Sequence, residues 1–183
     1  CFGFTEEETG DYLHRSGLEK NIPGLKEMYN GYKIDKYTLY NPFSITNFIH
    51  YSLGLDKNIK ESLQPYWVNS GGTQIIIDII EYNLQSLEKG LSKLLQGEAI
   101  KSVIDSDITM GNNLKIDDIS FWSLLLISGY LKVKNENLDE LGDIEYQLTF
   151  TNEEIRRSFK NLITEIVGGK SYVKYKDSIK SLI

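Results

Sequence analysis

The sequence predicts a mainly helical α+β fold, on three observations. Phe121 to Leu131 is an apolar run that reads as a buried helix stopping at Gly129 and passing into a strand, with Ile144 to Phe150 as a second strand. Apolar residues recur at helical spacing through much of the remaining chain. The composition, 40% hydrophobic and 25% charged over 183 residues, is that of a globular protein long enough for one large domain or two small ones.

Each element has a local reason. Thr5 followed by Glu8 is a capping-box pattern, so a helix is expected from Glu6 to about Ser16, closed by Gly17. Pro23 suits the first turn of a second helix ending near Tyr29, because its missing N–H costs little there. Asn30-Gly31 reads as a turn with positive φ at the glycine. Tyr32 to Ile34 and Thr38 to Tyr40 then read as a short hairpin around Asp35-Lys36. Asn41-Pro42 opens a helix with Ile45, Phe48, Ile49 and Leu53 on one stripe, ended by Gly54. Leu55 to Gln64 is polar, and Pro65-Tyr66-Trp67 is an aromatic knot. Ser70 to Thr73 looks like a loop leading to a helix cap, followed by a helix over Gln74 to Leu84. Leu87, Leu91, Leu94 and Leu95 mark a further helix, closed by Gly97. Ala99 to Ile104 alternates as a strand, and Asp105 to Asn113 is turn-rich.

Asp117 and Asp118 lead into the apolar helix, and Asn135 to Asp143 is polar, as a solvated hairpin tip would be. Thr151 with Glu154 forms a second capping-box pattern, opening a helix through Ile155, Phe159, Leu162, Ile163 and Ile166 to Gly168-Gly169. Tyr172 to Ile183 reads as a last short amphipathic helix. Helix, strand, strand, helix is the outline of a winged-helix unit. The expected architecture is therefore a helical bundle-like part followed by a winged-helix-like module with small antiparallel β-hairpins.

Net charge of −6 sets the average surface against nucleic acid and anionic membrane. The single cysteine, Cys1, permits no internal disulfide and fits a reducing, cytoplasmic setting. No apolar run reaches the roughly 18 to 20 residues of a membrane span, and no signal peptide is visible. A start at Cys1 rather than Met suggests a piece of a longer protein.

Several patterns mimic catalytic motifs. Gly169-Lys170-Ser171 resembles the end of a phosphate-binding loop, but Thr164 stands where that loop needs glycine, and the preceding segment reads as helix. It is read as a helix stop. Ile75-Ile76-Ile77-Asp78 resembles a magnesium-binding strand, but Ile79 stands where an acid should follow, so Asp78 is read as a surface residue of a core helix. His14 and His50 are isolated, and Glu6-Glu7-Glu8 suits a helix first turn. Lys132, Lys134, Arg156, Arg157 and Lys160 are the candidate DNA contacts. Glu153, Glu154, Glu165 and the acidic hairpin tip set a balance against strong DNA affinity. No catalytic, cofactor-binding or metal-ligating set is assembled.

Six ordered segments carry a family resemblance. They are Gly3-Phe4-Thr5 with Glu6-Glu7-Glu8; Tyr29-Asn30-Gly31-Tyr32; Tyr40-Asn41-Pro42-Phe43-Ser44; Pro65-Tyr66-Trp67-Val68-Asn69; Trp122 to Leu125 with Ser128-Gly129-Tyr130-Leu131; and Tyr146 followed by Asn152 and Glu154. Their order is similar to that in bacterial AAA-ATPase-like proteins with a C-terminal PD-(D/E)XK nuclease-like domain. Two positions depart from the family pattern, Ser70 and Phe150-Thr151.

The resemblance implies that residues 1–54 are the lid-like end of an ATPase region, 55–108 a helical connector and 109–169 a winged-helix-like module. Residues 170–183 would begin a linker to a nuclease-like domain. It implies that the motif residues serve packing, and that ATP and magnesium belong to the parent protein, not to this segment. The partners implied are other domains of the same polypeptide and a protein partner, with no membrane.

Overall fold

A computed structural model of the chain describes residues 3–34, 36–54, 59–67, 73–108, 116–138 and 142–168. They form an α+β fold with two small antiparallel sheets, divided between two compact units. The first unit takes in the described residues up to Trp67 together with Thr151–Ser158. The second takes in those from Thr73 to Phe150 and from Phe159 onward. Of the described residues, 59–67 thus belong to the first unit and 73–108 to the second. Among the described residues no helix is long and apolar enough to cross a membrane.

In the first unit, helix α1 (Glu6–Arg15) starts on the expected capping box. Thr5 Oγ1 accepts from Glu8 N at 3.1 Å, and Glu8 Oε2 accepts from Thr5 N at 2.9 Å. These bonds to the charged form hold the Glu8 carboxyl below its usual range. Gly17 ends the helix at φ 69°. An unforeseen 3-10 turn, Glu19–Asn21, leads into α2 (Ile22–Tyr29).

The chain then enters β1 (Asn30–Ile34) directly, paired with β2 (Tyr37–Tyr40). Asn30-Gly31 is therefore not the expected turn. The register slips between Asn30 and Tyr32, so Gly31 is the extra residue of a bulge. Its φ of 125° keeps the positive value expected of it. Phe4 bridges Tyr40 through two backbone bonds, of 3.0 and 2.8 Å.

Helix α3 (Pro42–Gly54) opens on Asn41, whose Oδ1 accepts from Phe43 N at 3.0 Å. Ile45 and Phe48 are fully buried, but Leu53 is 60% exposed and leaves the expected stripe. The core comprises Leu13, Leu18, Leu25, Met28, Tyr29, Tyr40, Ile45 and Phe48. A short helix α4 (Ile59–Ser62) precedes the irregular segment Leu63–Trp67.

In the second unit, the two helices expected over 74–95 are both present and run on from one another as α5 (Thr73–Leu95), parted by a break in helical geometry at Asn83 (φ −113°, ψ 16°). Asn83 Nδ2 donates to Ile79 O at 2.8 Å, occupying a carbonyl beside the break. A three-stranded sheet follows in the order β3-β5-β4, with β3 Ile100–Ser102, β4 Leu131–Leu138 and β5 Ile144–Phe150. Strand β4 runs further into the expected tip than foreseen, because Asn135 to Leu138 pair with Gln147 to Ile144.

Helix α6 (Asp118–Ile127) is capped by Asp117, whose Oδ1 accepts from Ser120 N at 2.8 Å. Helix α7 (Glu153–Gly168) begins one residue later than expected, and its cap is Asn152, whose Oδ1 accepts from Ile155 N at 3.0 Å. The readings of Asp35, Ser70 to Gly72, Gly169-Lys170-Ser171 and Tyr172 to Ile183 lie outside the described residues.

A close approach in this unit joins α5 to α6. A Cβ built on Gly90 would lie 2.5 Å from Cζ2 of Trp122, whose ring is 6% exposed and packs edge-on to Phe121. Helix propensity alone would favour Gly90→Ala by about 1 kcal/mol. The overlap with a packed ring should exceed that gain. A net loss of about 1–2 kcal/mol is expected, read as a lowered urea midpoint with an unchanged slope.

Candidate functional site

The segment Leu63–Trp67 lies in no helix or strand; Gln64 N donates to Ser62 O at 3.0 Å, and side chains meet several of its other backbone polar groups. Three residues outside the segment do this, and a fourth, Ser44, holds the carboxylate among them. Tyr29 OH, from α2, donates to Gln64 O at 2.9 Å. Arg157 Nη1, from α7, donates to Leu63 O at 3.2 Å. Glu154 Oε1 accepts from Tyr66 N at 2.9 Å and from Trp67 N at 3.2 Å. Ser44 Oγ, in α3, lies 2.8 Å from both carboxylate oxygens and shares its proton between them.

Glu154 is 0% exposed, and no lysine or arginine pairs with it among the described ion pairs. Burial raises its carboxyl above the usual range, and the bonds from Ser44, Tyr66 and Trp67 offset this only in part. Burial likewise raises the hydroxyls of Tyr29 and Tyr66. The neighbouring rings pack on one another: Tyr29 lies 6.3 Å from Phe48 and 6.1 Å from Tyr66, and Tyr32 meets Trp67 edge-on at 6.1 Å.

Four of the six motif segments, with the Asn152–Glu154 part of another, therefore lie in the first unit. Gly3 packs against Leu39, and Phe4 bridges Tyr40. Tyr29 and Tyr32 touch the Pro65-Tyr66-Trp67 segment, Asn41 and Pro42 start the helix that presents Ser44, and Asn152 caps the helix that presents Glu154. The remaining motif residues lie in the second unit. Trp122 packs on Phe121, Gly129 takes φ 82° after Ser128, Tyr130 lies 5.4 Å from Phe159, and Tyr146 pairs with Glu136 and Ser102.

Glu154 departs from its expected role. Its carboxylate faces α3 and the 63–67 segment instead of closing a capping box with Thr151. One sequence signal pointed this way: Glu154, Ser158 and Leu162 form an i, i+4, i+8 row beside the apolar stripe of α7, and all three are buried. Ser44 and Gln64, which complete the arrangement, had no such signal.

The candidate DNA contacts are divided between the two units. Arg156 and Arg157 both bond Glu153, at 2.7 and 2.8 Å, and hold its carboxyl below the usual range. They belong to the first unit, whereas Lys132, Lys134 and Lys160 belong to the second. Among the described residues no group of three or more His, Cys, Asp or Glu is placed to hold a metal ion. No protein-family model, curated protein or solved structure matches the chain.

Glu154→Ala leaves Ser44 and two backbone amides unmet and should cost about 2–4 kcal/mol in chemical denaturation. Glu154→Gln keeps an acceptor for the amides and a donor for Ser44, and should cost about 1 kcal/mol or less. Because the folded pKa is raised, the folded state binds the extra proton. Stability from this group is fully present below the unfolded value and declines as pH rises through the folded pKa. The stability gap between the native chain and Glu154→Gln should therefore shift against the native chain as pH rises above the usual carboxylate range.

Proposed function

We propose that this chain is a non-catalytic lid and winged-helix-like coupling module of an AAA-ATPase-like protein, acting between the ATPase core and a nuclease-like domain or a partner. The observation that carries this reading is the convergence on Glu154 of segments quoted for the resemblance. The motif residues near the N-terminus and the Asn152–Glu154 pair, far apart in sequence, serve one packing arrangement without a nucleophile or metal cluster among them.

The second unit supports the winged-helix part. Helix α5 precedes β3, α6 precedes β4, and the β4–β5 hairpin closes a β3-β5-β4 sheet before α7. Helix α7 supplies Glu154 to the first unit and Phe159, 5.0 Å from Phe150, to the second. One continuous helix with residues in both units is the element through which a change of nucleotide state would be passed on. DNA binding is the weaker reading, because α6, the helix before the hairpin, carries Asp117 and Asp118 at its start and no lysine or arginine.

The chain alone should neither hydrolyse ATP nor cleave DNA above a blank in the presence of magnesium. In a longer polypeptide carrying the ATPase region, adding ATP should change amide-exchange protection at residues 63–67 and 153–158. ATP turnover by the isolated chain, or protection at these residues indifferent to nucleotide, would sink the reading.

A further inference from the structure

The second unit holds a pocket of about 540 Å³ between α5, β3 and α6, unrelated to the Glu154 arrangement. That volume lies within the range of small-molecule sites, roughly 300–1,000 Å³. Lys89 and Lys93 stand one turn apart on α5, both exposed, and neither has an ion-pair partner among the described residues. Lys101 faces them from β3, its charge partly met by Glu145 at 2.7 Å. Gln147, whose amide oxygen accepts from Asn135 Nδ2 at 3.2 Å, adds a polar side chain with N–H donors to the lining. Trp122 supplies an aromatic wall where it presses on Gly90. Asp118 is the one acid on the lining.

Three ammonium groups and an amide face one carboxylate, on a chain whose net charge is −6. The lining is rich in donors, so its ligand must be rich in acceptors. An inorganic ion alone would leave most of the volume and the aromatic wall unused. We propose that this pocket binds a phosphomonoester carried on a planar ring, the phosphate between Lys89 and Lys93 and the ring against Trp122. This proposal stands apart from the coupling role.

Phenyl phosphate is the probe, titrated into the full chain and followed by the indole N–H resonance of Trp122, assigned with W122F. A saturable shift with a Kd of about 1 mM or tighter is expected, as for two charge-assisted hydrogen bonds on an exposed rim. The double variant K89E/K93E should weaken binding at least about tenfold, and D118N should tighten it severalfold. A merely destabilised protein would weaken in both variants, so the opposite signs separate recognition from damage. Inorganic phosphate should bind more weakly than phenyl phosphate. The proposal is overturned by no saturable shift, by equal affinity in K89E/K93E, by no tightening in D118N, or by equal affinity for inorganic phosphate. Because the titration needs no ATP and no turnover, its failure leaves the coupling role untouched.

Discussion

The first unit depends on one buried carboxylate. Among the described ion pairs none involves Glu154, and an isolated ionised carboxylate in the interior would be expensive. Two backbone amides and a hydroxyl offset that cost, while burial still biases the group toward its protonated form. The same contacts give the segment Leu63–Trp67 a fixed course, although its own backbone makes no sheet or helix there. Glu154 thus ties helix α3, the irregular segment and the start of α7 into one arrangement, and the rings of Tyr29 and Tyr66, and of Tyr32 and Trp67, pack on one another.

The second unit is built differently. Its organisation rests on apolar burial and on a close approach permitted by a missing side chain. Leu84, Leu87, Leu91 and Leu94 put one face of α5 inside, and Gly90, off that face, lets the indole of Trp122 reach the helix backbone. Phe159 sits against Tyr130 and Phe150, so α7 seals the sheet with aromatic contacts.

The helices, the terminal sheet strands and most of the caps were legible in the sequence. Thr5, Asn41 and Asp117 act within three residues of the groups they cap, so local pattern suffices for them. The misreadings share a different cause. Asn30-Gly31 has turn chemistry, but pairing with Tyr40 decides that it becomes a bulge. Glu154 has the spacing of a capping box, but the unmet amides of Tyr66 and Trp67, some ninety positions earlier, draw its carboxylate away. The partner that wins in each case is distant in sequence, and no local window contains it. The lysine-rimmed pocket was equally invisible, since Lys89, Lys101 and Gln147 meet only once the sheet is formed.

The bonds that Glu154 receives from the irregular segment come from peptide nitrogens, so they make no demand on the side chains at 66 and 67. Nineteen of the twenty amino acids can supply that nitrogen with its hydrogen, and proline alone cannot. The chain carries a proline one step earlier, at Pro65, where the carboxylate draws on no amide. The aromatic identities of Tyr66 and Trp67 therefore answer to their ring neighbours, whereas the ban on proline answers to the carboxylate. Two independent constraints fall on the same two positions.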